Sequence, residues 1–229
     1  WARWQHALAL FSALPESRIT PNVIFCNAAV SACGNAGQWQ HALALFSCIP
    51  LLHIAPDVVS CNAAVSACEK AGQWCRALAL FVSMIPLRIE PNVITCSALV
   101  STCEKASQWQ RALVVLGSMP QLRIVPNAIS CNAAISACEK ADQWQYALSL
   151  FSSMQKIRVA PNVISCNAAI SACEKVEQWQ RGLMLFGAMS ELRIAPDVVS
   201  CSAATSACEK AGQWQHALAL FGSMSLLRV

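Results

Sequence analysis

The sequence predicts an all-α protein, an α-solenoid of two-helix repeats that are each 35 residues long. Three observations carry this prediction. A segment similar to Pro161–Lys175 begins again at 35-residue intervals, a tryptophan recurs at the same interval, and apolar residues inside each unit follow the helical period. A period of about 20 to 50 residues is typical of solenoids, in which each unit packs on its neighbours.

The period divides the chain into five full repeats and two partial ones. The full repeats span 23–57, 58–92, 93–127, 128–162 and 163–197, and the partial repeats span 1–22 and 198–229. The markers are the boundary prolines Pro21, Pro56, Pro91, Pro126, Pro161 and Pro196 and the tryptophans Trp4, Trp39, Trp74, Trp109, Trp144, Trp179 and Trp214. We expect residues 1–229 to form one repeat array, and we expect that array to be a piece of a longer protein.

The first helix of each repeat follows the boundary proline. In the repeat 163–197, Pro161 cannot lie inside a helix and biases the preceding residue toward an extended conformation. Ser165 is predicted to be the N-cap of a helix that runs from about Cys166 to Lys175. Three alanines within this helix favour it and would let neighbouring helices approach closely.

The second helix is predicted to start at the tryptophan. In the repeat 93–127, apolar residues fall at positions i, i+3, i+4, i+7 and i+10 of one stripe, namely Trp109, Ala112, Leu113, Leu116 and Met119. This spacing favours a tryptophan that packs in the core, with stacking on a nucleobase as the alternative. Arg or His occupies the turn after this helix, at Arg18, His53, Arg88, Arg123, Arg158, Arg193 and Arg228, where we expect a solvated charge.

The composition excludes a disordered chain. Hydrophobic residues make up 56% and charged residues only 12%. No apolar run approaches the length of about 18 residues that spans a bilayer, so we expect no membrane partner. The net charge of +4 permits an acidic partner such as RNA.

Twelve of the 14 cysteines form six pairs with a separation of seven residues. On a helix this separation is about 10 Å, which is too far for a disulfide bond, and it differs from the tight spacing of zinc motifs. We therefore predict small buried hydrophobes in a reducing compartment, with metal or redox chemistry as the alternative. The pairs are Cys26/Cys33, Cys61/Cys68, Cys96/Cys103, Cys131/Cys138, Cys166/Cys173 and Cys201/Cys208.

Nothing in the sequence indicates an enzyme or a cofactor. The four histidines do not pair with cysteines at metal spacing, and the chain has no glycine-rich phosphate loop or hydrolase elbow. Three of the histidines share one second-helix position with other polar side chains, which we expect to form a solvated face. The residues at this position are His6, His41, Arg76, Arg111, Tyr146, Arg181 and His216.

The repeat resembles the pentatricopeptide repeat family, in its plain 35-residue class. The resemblance rests on Val58–Asn62, Cys68–Gly72, Ala77–Phe81, Met84 and Pro91–Asn92, and it covers the whole chain. The recurring Ser-Ala-Cys-Glu-Lys-x-x-Gln-Trp-Gln segment is similar to repeats of dinoflagellate algae. Cys replaces the family's aromatic residue before the Asn, and Arg or His replaces its turn glycine. The resemblance implies a right-handed superhelix, single-stranded RNA as the partner, and RNA processing, stability, editing or translation in mitochondria or chloroplasts.

Identical repeats would present identical surfaces, so specificity must lie at equivalent positions that vary. Two polar positions vary in a restricted way, and the resemblance implies that together they recognise one base per repeat. One is the Asn or Ser early in the first helix, at Asn27, Asn62, Ser97, Asn132, Asn167 and Ser202. The other is the Asp or Asn after the boundary proline, at Asn22, Asp57, Asn92, Asn127, Asn162 and Asp197. The alternative is that these side chains only cap helices and form turns.

Hydrogen-bond chemistry agrees with a role in base recognition. A carboxylate only accepts and suits the ring N–H of uracil or guanine, whereas an amide can donate and suits cytosine or adenine. At the other position an Asn suits a pyrimidine, while Ser leaves room for a purine. The five full repeats then predict the core 5′-U-C-A-C/U-U-3′.

Two further sets of residues are implied by the resemblance. Apolar side chains would sandwich each base, at Ile24, Val59, Ile94, Ile129, Ile164 and Val199, although core packing is the alternative. Lysines at the ends of first helices would lie near the RNA backbone, at Lys70, Lys105, Lys140, Lys175 and Lys210. A helical-repeat scaffold that binds proteins is the alternative function, and flanking regions could add protein partners.

Overall fold

The computed structural model of the chain describes residues 3–13 and 21–227. These residues contain 13 α-helices and one 3₁₀ helix, and no strand occurs among them. The predicted all-α fold, with two helices in each repeat, is therefore confirmed. The chain divides into two compact units, and each is described by itself.

The first unit contains residues up to 106 together with 117–125. Its helices are α1 (Arg3–Ser12), α2 (Val23–Asn35), α3 (Trp39–Cys48), α4 (Val58–Lys70), α5 (Trp74–Met84) and α6 (Val93–Lys105), with a 3₁₀ turn at Pro50–Leu52. First helices pack side by side, α2 on α4 and α4 on α6, and each also contacts the second helix of its own repeat where that helix lies in this unit.

The second unit contains residues 107–116 and 126 onward. Helix α7 (Trp109–Ser118) begins in it, followed by α8 (Ala128–Lys140), α9 (Trp144–Lys156), α10 (Val163–Lys175), α11 (Trp179–Glu191), α12 (Val198–Lys210) and α13 (Trp214–Leu227). Helix α10 contacts α8 on one side and α12 on the other, so the first helices again form a row.

Each first helix starts earlier than the sequence predicts, and its N-cap is a different residue. In the repeat 163–197 the cap is Asn162, whose side chain accepts a hydrogen bond from the Ser165 backbone N–H at 3.0 Å. Ser165 lies at the third helical position and accepts from the Asn162 N–H at 2.8 Å, which completes a capping box. The prediction of Ser165 as the N-cap is therefore wrong. Only the residue before a proline is conformationally restricted by it, so helical geometry can begin directly after Asn162.

Both turns of a repeat use left-handed backbone conformations. The turn between the two helices has φ near +55° to +75° at Gly37, Gly72, Ser107, Asp142, Glu177 and Gly212. The turn after the second helix places His53, Arg88, Arg123, Arg158 and Arg193 at φ between 54° and 60°. In the turn after α9, the Val159 N–H donates to the Met154 carbonyl at 2.8 Å, as in a Schellman motif. The turn after the second helix therefore adopts the left-handed conformation without a glycine. Arg18 and Arg228 lie outside the described residues.

The paired cysteines all lie in the core, as predicted. All 12 are at most 2% exposed, and none of the 14 cysteines forms a disulfide bond. Burial raises the pKa of several of these thiols, for example that of Cys96 and Cys138 to about 11. Such thiols stay protonated at neutral pH and behave as small apolar side chains.

Six of the seven recurring tryptophans are half-buried and Trp214 is 64% exposed, so the predicted core position is met only in part. The rings of Trp4, Trp109, Trp144 and Trp179 contact the side chain 37 residues later, on the second helix of the next repeat. The Trp179 and His216 ring centroids are 5.0 Å apart, and the Arg181 guanidinium lies 4.4 Å from the centre of the Trp144 ring. The polar position expected to be a solvated face therefore joins successive repeats through contacts between tilted rings and through a cation–π contact.

Candidate nucleic-acid interface

The two variable polar positions are brought into contact within the units, although they lie 30 residues apart. We call an early-helix Asn or Ser and the Asp or Asn that closes its repeat a polar pair. The amide Nδ2 of Asn27 donates to Oδ1 of Asp57 at 3.1 Å. The same contact joins Asn62 to Asn92 at 3.4 Å, Asn132 to Asn162 at 3.1 Å and Asn167 to Asp197 at 3.1 Å.

The remaining predicted residues are placed as follows. Ser97 and Asn127 belong to different units; Ser97 is 5% exposed, and Asn127 accepts from the Ser130 N–H at 2.9 Å as the N-cap of α8. Asn22 caps α2 through the Phe25 N–H at 2.9 Å. Ser202 is exposed on α12. The Asp or Asn of every polar pair is thus also an N-cap, whereas the early-helix Asn has no capping role.

A hydroxyl group that was not predicted from the sequence joins the two residues of each polar pair in the first unit. Ser60 Oγ lies within hydrogen-bonding distance of both Asn27 Oδ1 and Asp57 Oδ1. Thr95 Oγ1 contacts Asn62 and Asn92 in the same way. In the second unit the corresponding hydroxyls donate to the cap residue instead, and the buried Oδ1 atoms of Asn132 and Asn167 have no hydrogen-bond partner among the described residues.

The hydroxyl could have been found from the period, because Ser or Thr recurs at 60, 95, 130, 165 and 200. We expected this Ser or Thr to be an N-cap, and we therefore did not predict that Ser60 contacts Asn27, which lies 33 residues earlier in the previous repeat. Since an amide donates through nitrogen and accepts through oxygen, a carboxylate on one side and a hydroxyl on the other orient the Asn27 side chain.

The two aspartates are stronger acids in the folded protein. Burial raises the pKa of Asp57, but hydrogen bonds from the backbone and hydroxyl of Ser60, the Asn27 amide and the Val59 backbone together outweigh it and lower the pKa. The pKa of Asp197 is lowered for the equivalent reasons. Both carboxyl groups are therefore ionised at neutral pH and act only as hydrogen-bond acceptors.

The lowered pKa values predict a pH-dependent contribution to stability. A carboxyl group whose pKa is below its ordinary value of 3.8 stabilises the fold above that value, and this stabilisation is lost as the pH falls through the folded-state pKa. We expect the free energy of unfolding of the wild type to fall relative to the variant Asp57→Asn/Asp197→Asn as the pH drops from about 5 to about 2. Urea unfolding of both proteins across this range measures the difference. A difference that does not change with pH would contradict the prediction.

The six apolar side chains predicted to sandwich bases are all exposed, which excludes the alternative of core packing for them. Their exposed fractions run from 54% at Val59 to 73% at Ile24. Each lies on the first turn of a first helix, between the two polar positions in sequence, as Ile164 lies between Asn162 and Asn167. A regular row of exposed large apolar residues beside polar pairs is typical of a binding surface.

The lysines lie at the far end of the same exposed stripes. On α10 the stripe runs through Ile164, Ala168, Ser171 and Lys175, at positions i, i+4, i+7 and i+11. Three of the lysines form ion pairs with a glutamate of the previous repeat. The distances are 2.9 Å for Lys105–Glu69, 2.7 Å for Lys175–Glu139 and 3.0 Å for Lys210–Glu174. Any phosphate must therefore compete with these carboxylates.

The ranges that the structure describes contain no candidate metal site and no helix suited to cross a membrane. No group of three or more His, Cys, Asp or Glu side chains is arranged there to hold a metal ion. None of the helices in those ranges combines the length and the apolar character that crossing a bilayer requires.

Solved structures with the same fold include the pentatricopeptide repeat protein PPR10 from maize. The two are 25% identical with a TM-score of 0.74, over 99% of this chain and 32% of PPR10. PPR10 in complex with an 18-nt psaJ RNA element matches at 22% identity and a TM-score of 0.66, over 98% of this chain and 32% of the other. The PPR domain of Arabidopsis thaliana protein-only RNase P 1 in complex with tRNA matches at 15% identity and 0.66, over 82% of this chain and 95% of that domain. This chain thus spans about a third of PPR10.

Comparison with the sequences of curated proteins finds no match. Family models match most of the chain. The model described as PPR repeat family matches residues 56–105 and 126–175, and the model described as PPR repeat matches 24–51, 164–194 and 199–229. With its helices, its period and more than half of its residues matched, the chain belongs to the pentatricopeptide repeat family.

Proposed function

We propose that this chain binds single-stranded RNA in a sequence-specific manner, with one base recognised per repeat. The observation that carries the proposal is the contact within four of the five polar pairs, each beside an exposed apolar side chain. An edge of polar groups with an apolar surface next to it matches a nucleobase, which has a hydrogen-bonding rim and an apolar face. The PPR10 and RNase P structures with bound RNA support the same function.

The polar pair of the first full repeat favours uracil. The hydrogen bonds from Ser60 and Asn27 end on Oδ1 of Asp57, which leaves Oδ2 to accept the ring N–H of a base. Because Asp57 is ionised, a cytosine or adenine would place an acceptor opposite an acceptor. Asp197 is ionised as well and favours uracil again, but there the Asn167 amide donates to both carboxylate oxygens, at 3.1 and 3.2 Å, and a base has to share one of them.

The other full repeats complete the proposed sequence. Asn62 with Asn92 favours cytosine, and Asn132 with Asn162 favours cytosine or uracil, because an amide can present its NH₂ group to the ring nitrogen. Ser97 with Asn127 favours adenine. The proposed target is 5′-U-C-A-C/U-U-3′, with the RNA parallel to the protein chain as in the family. Asn22 and Ser202 would add preferences on either side.

The family resemblance also implies a cellular process and a compartment for this RNA binding. We propose that the chain serves RNA processing, stability, editing or translation in mitochondria or chloroplasts, as a binding module with no catalytic role of its own.

Binding to short RNAs tests the proposal. We expect an oligonucleotide that contains U-C-A-C-U to bind at least about tenfold more tightly than one in which these five bases are scrambled within the same flanks. The measurement is fluorescence anisotropy at low salt, repeated at higher salt. Equal affinity for the two oligonucleotides would contradict the base assignment, and no binding to either at low salt would contradict RNA binding.

A further inference from the structure

The first and fifth full repeats have the same three residue types at their polar pairs. These are Asn27, Asp57 and Ser60 around the first pair and Asn167, Asp197 and Ser200 around the fifth. In both, Oδ1 of the capping aspartate accepts a hydrogen bond from the backbone N–H of the serine at 2.8 Å. Both serines are 0% exposed, and their Oγ atoms lie 2.8 and 2.9 Å from that same Oδ1. The residue types alone therefore predict two identical uracil sites.

The two sites differ in the second contact of the serine hydroxyl. Ser60 Oγ contacts Oδ1 of Asn27 as well as Oδ1 of Asp57. The Ser200 hydroxyl instead donates to the main-chain carbonyl of Asp197 at 3.0 Å. As a result, Oδ1 of Asn167 is buried without a hydrogen-bond partner among the residues that the structure describes.

The early-helix amide is placed differently in the two sites as well. In the first full repeat, where the hydroxyl contacts both Oδ1 atoms, Asn27 Nδ2 donates to Oδ1 of Asp57 alone, at 3.1 Å. In the fifth, Asn167 Nδ2 donates to Oδ1 and Oδ2 of Asp197, at 3.1 and 3.2 Å. The ring N–H of a uracil therefore has to compete with the Asn167 amide for Oδ2 of Asp197. At Asp57 no such competition arises from the early-helix amide.

We propose that Ser60 is a positioning residue for base recognition by the first full repeat, although Ser60 itself belongs to the second. Its hydroxyl holds the Asn27 amide on Oδ1 of Asp57 and so keeps Oδ2 available to the ring N–H of uracil. The inference rests on the proposed function and refines it. Two repeats with the same Asn and Asp discriminate uracil from cytosine to different degrees, because the hydroxyl of the following repeat is placed differently.

The base preference at a single position of the RNA tests this role. Fluorescence anisotropy with the full chain gives the ratio of the affinities for U and C at the first base of U-C-A-C-U. We expect Ser60→Ala to lower this ratio by about fivefold. Thr95 makes the equivalent two contacts with Asn62 and Asn92, so Ser60→Thr should keep the ratio within about twofold of the wild type.

Ser200→Ala is the matched control, read at the fifth base. Both alanine variants remove a hydroxyl from a capping box, because the N–H of each capping aspartate donates to the serine Oγ, at 3.2 Å for Ser60 and 2.7 Å for Ser200. A loss of helix capping therefore affects both sites, and urea unfolding measures it. Ser200→Ala removes no contact with Asn167, so the ratio of U to C affinity at the fifth base should change by less than about twofold.

The NMR signals of the Asn side-chain NH₂ groups report on the hydroxyl contact without RNA. We expect Ser60→Ala to shift the Asn27 NH₂ signals more than Ser200→Ala shifts those of Asn167. A loss of discrimination confined to the first base in Ser60→Ala, with rescue by Ser60→Thr, supports the inference. Equal losses in the two alanine variants, or an unchanged ratio in Ser60→Ala, overturn it. A wild type that binds no RNA contradicts the proposed function instead, and equal NMR shifts in the two variants contradict the hydroxyl contact by itself.

Discussion

Asp57→Asn is expected to change the base preferred by the first full repeat from uracil to cytosine while leaving the fold intact. The carboxylate can only accept a hydrogen bond, whereas the amide can donate one to the ring nitrogen of cytosine. An opposed pair of acceptors costs about 1.4 kcal/mol or more, so the ratio of the two affinities should move by at least about tenfold. Oligonucleotides that differ only at this base, measured with wild type and variant, give the ratio directly.

The chain itself supplies the controls for this substitution. Asn92 already holds the equivalent position in the next repeat and caps α6, so Asn at position 57 should still cap α4. Its urea-unfolding midpoint at neutral pH should stay close to that of the wild type. The reverse substitution, Asn92→Asp, should move the second base from cytosine to uracil. If neither substitution altered the preferred base, the Asp or Asn would serve as a helix cap alone.

Ile170→Ala is expected to destabilise the protein by about 2–5 kcal/mol, because it leaves a cavity in the packed face of α10. The Ile170 side chain is 0% exposed and is among the largest fully buried side chains. Since neighbouring repeats stabilise one another, the loss should also reduce the stability of α8 and α12, which pack on α10. Urea unfolding followed by circular dichroism measures the change.

Ile164→Ala is the matched control, with the same side chain on the same helix. Ile164 is 59% exposed, so its truncation should change the free energy of unfolding by no more than about 0.5 kcal/mol. It should instead weaken RNA binding by about fivefold, through the loss of apolar contact with a base. If Ile164→Ala destabilised the fold as much as Ile170→Ala, or left RNA affinity unchanged, the exposed row would have no role in binding.

The period and the local patterns were enough to predict most of the fold. A strict 35-residue repeat with prolines at its boundaries determines where helices can begin, and the apolar stripe after Trp109 predicts the second helix. Both the proline boundaries and the apolar stripes depend on residues that lie only a few positions apart in the sequence. Even the burial of cysteines such as Cys166 and Cys173 followed from their two-turn spacing, because both lie on the face of α10 that packs in the core.

Local rules also produced the main errors. Ser165 and Asn162 both have side chains suited to an N-cap, and the choice between them depended on where helical geometry begins after Pro161. The half-buried tryptophans were expected deeper in the core, because helical spacing reveals which face turns inward but not how much of a large ring the next repeat covers. The His216 ring lies against Trp179 at an angle of 49°, and the indole remains half-buried.

The repeat, its two helices, the variable polar positions and the family could therefore all be predicted from the amino-acid sequence. The contacts between repeats become visible only in the folded chain, where Asn27 contacts Asp57 and Ser60, three lysines pair with glutamates, and a cavity lies beside Gly34 and Lys70. The physical reason is the range of the contacts. Each of these contacts joins residues 30 to 36 positions apart along the chain, so it depends on how one repeat is offset against the next, which no pattern inside a single repeat encodes.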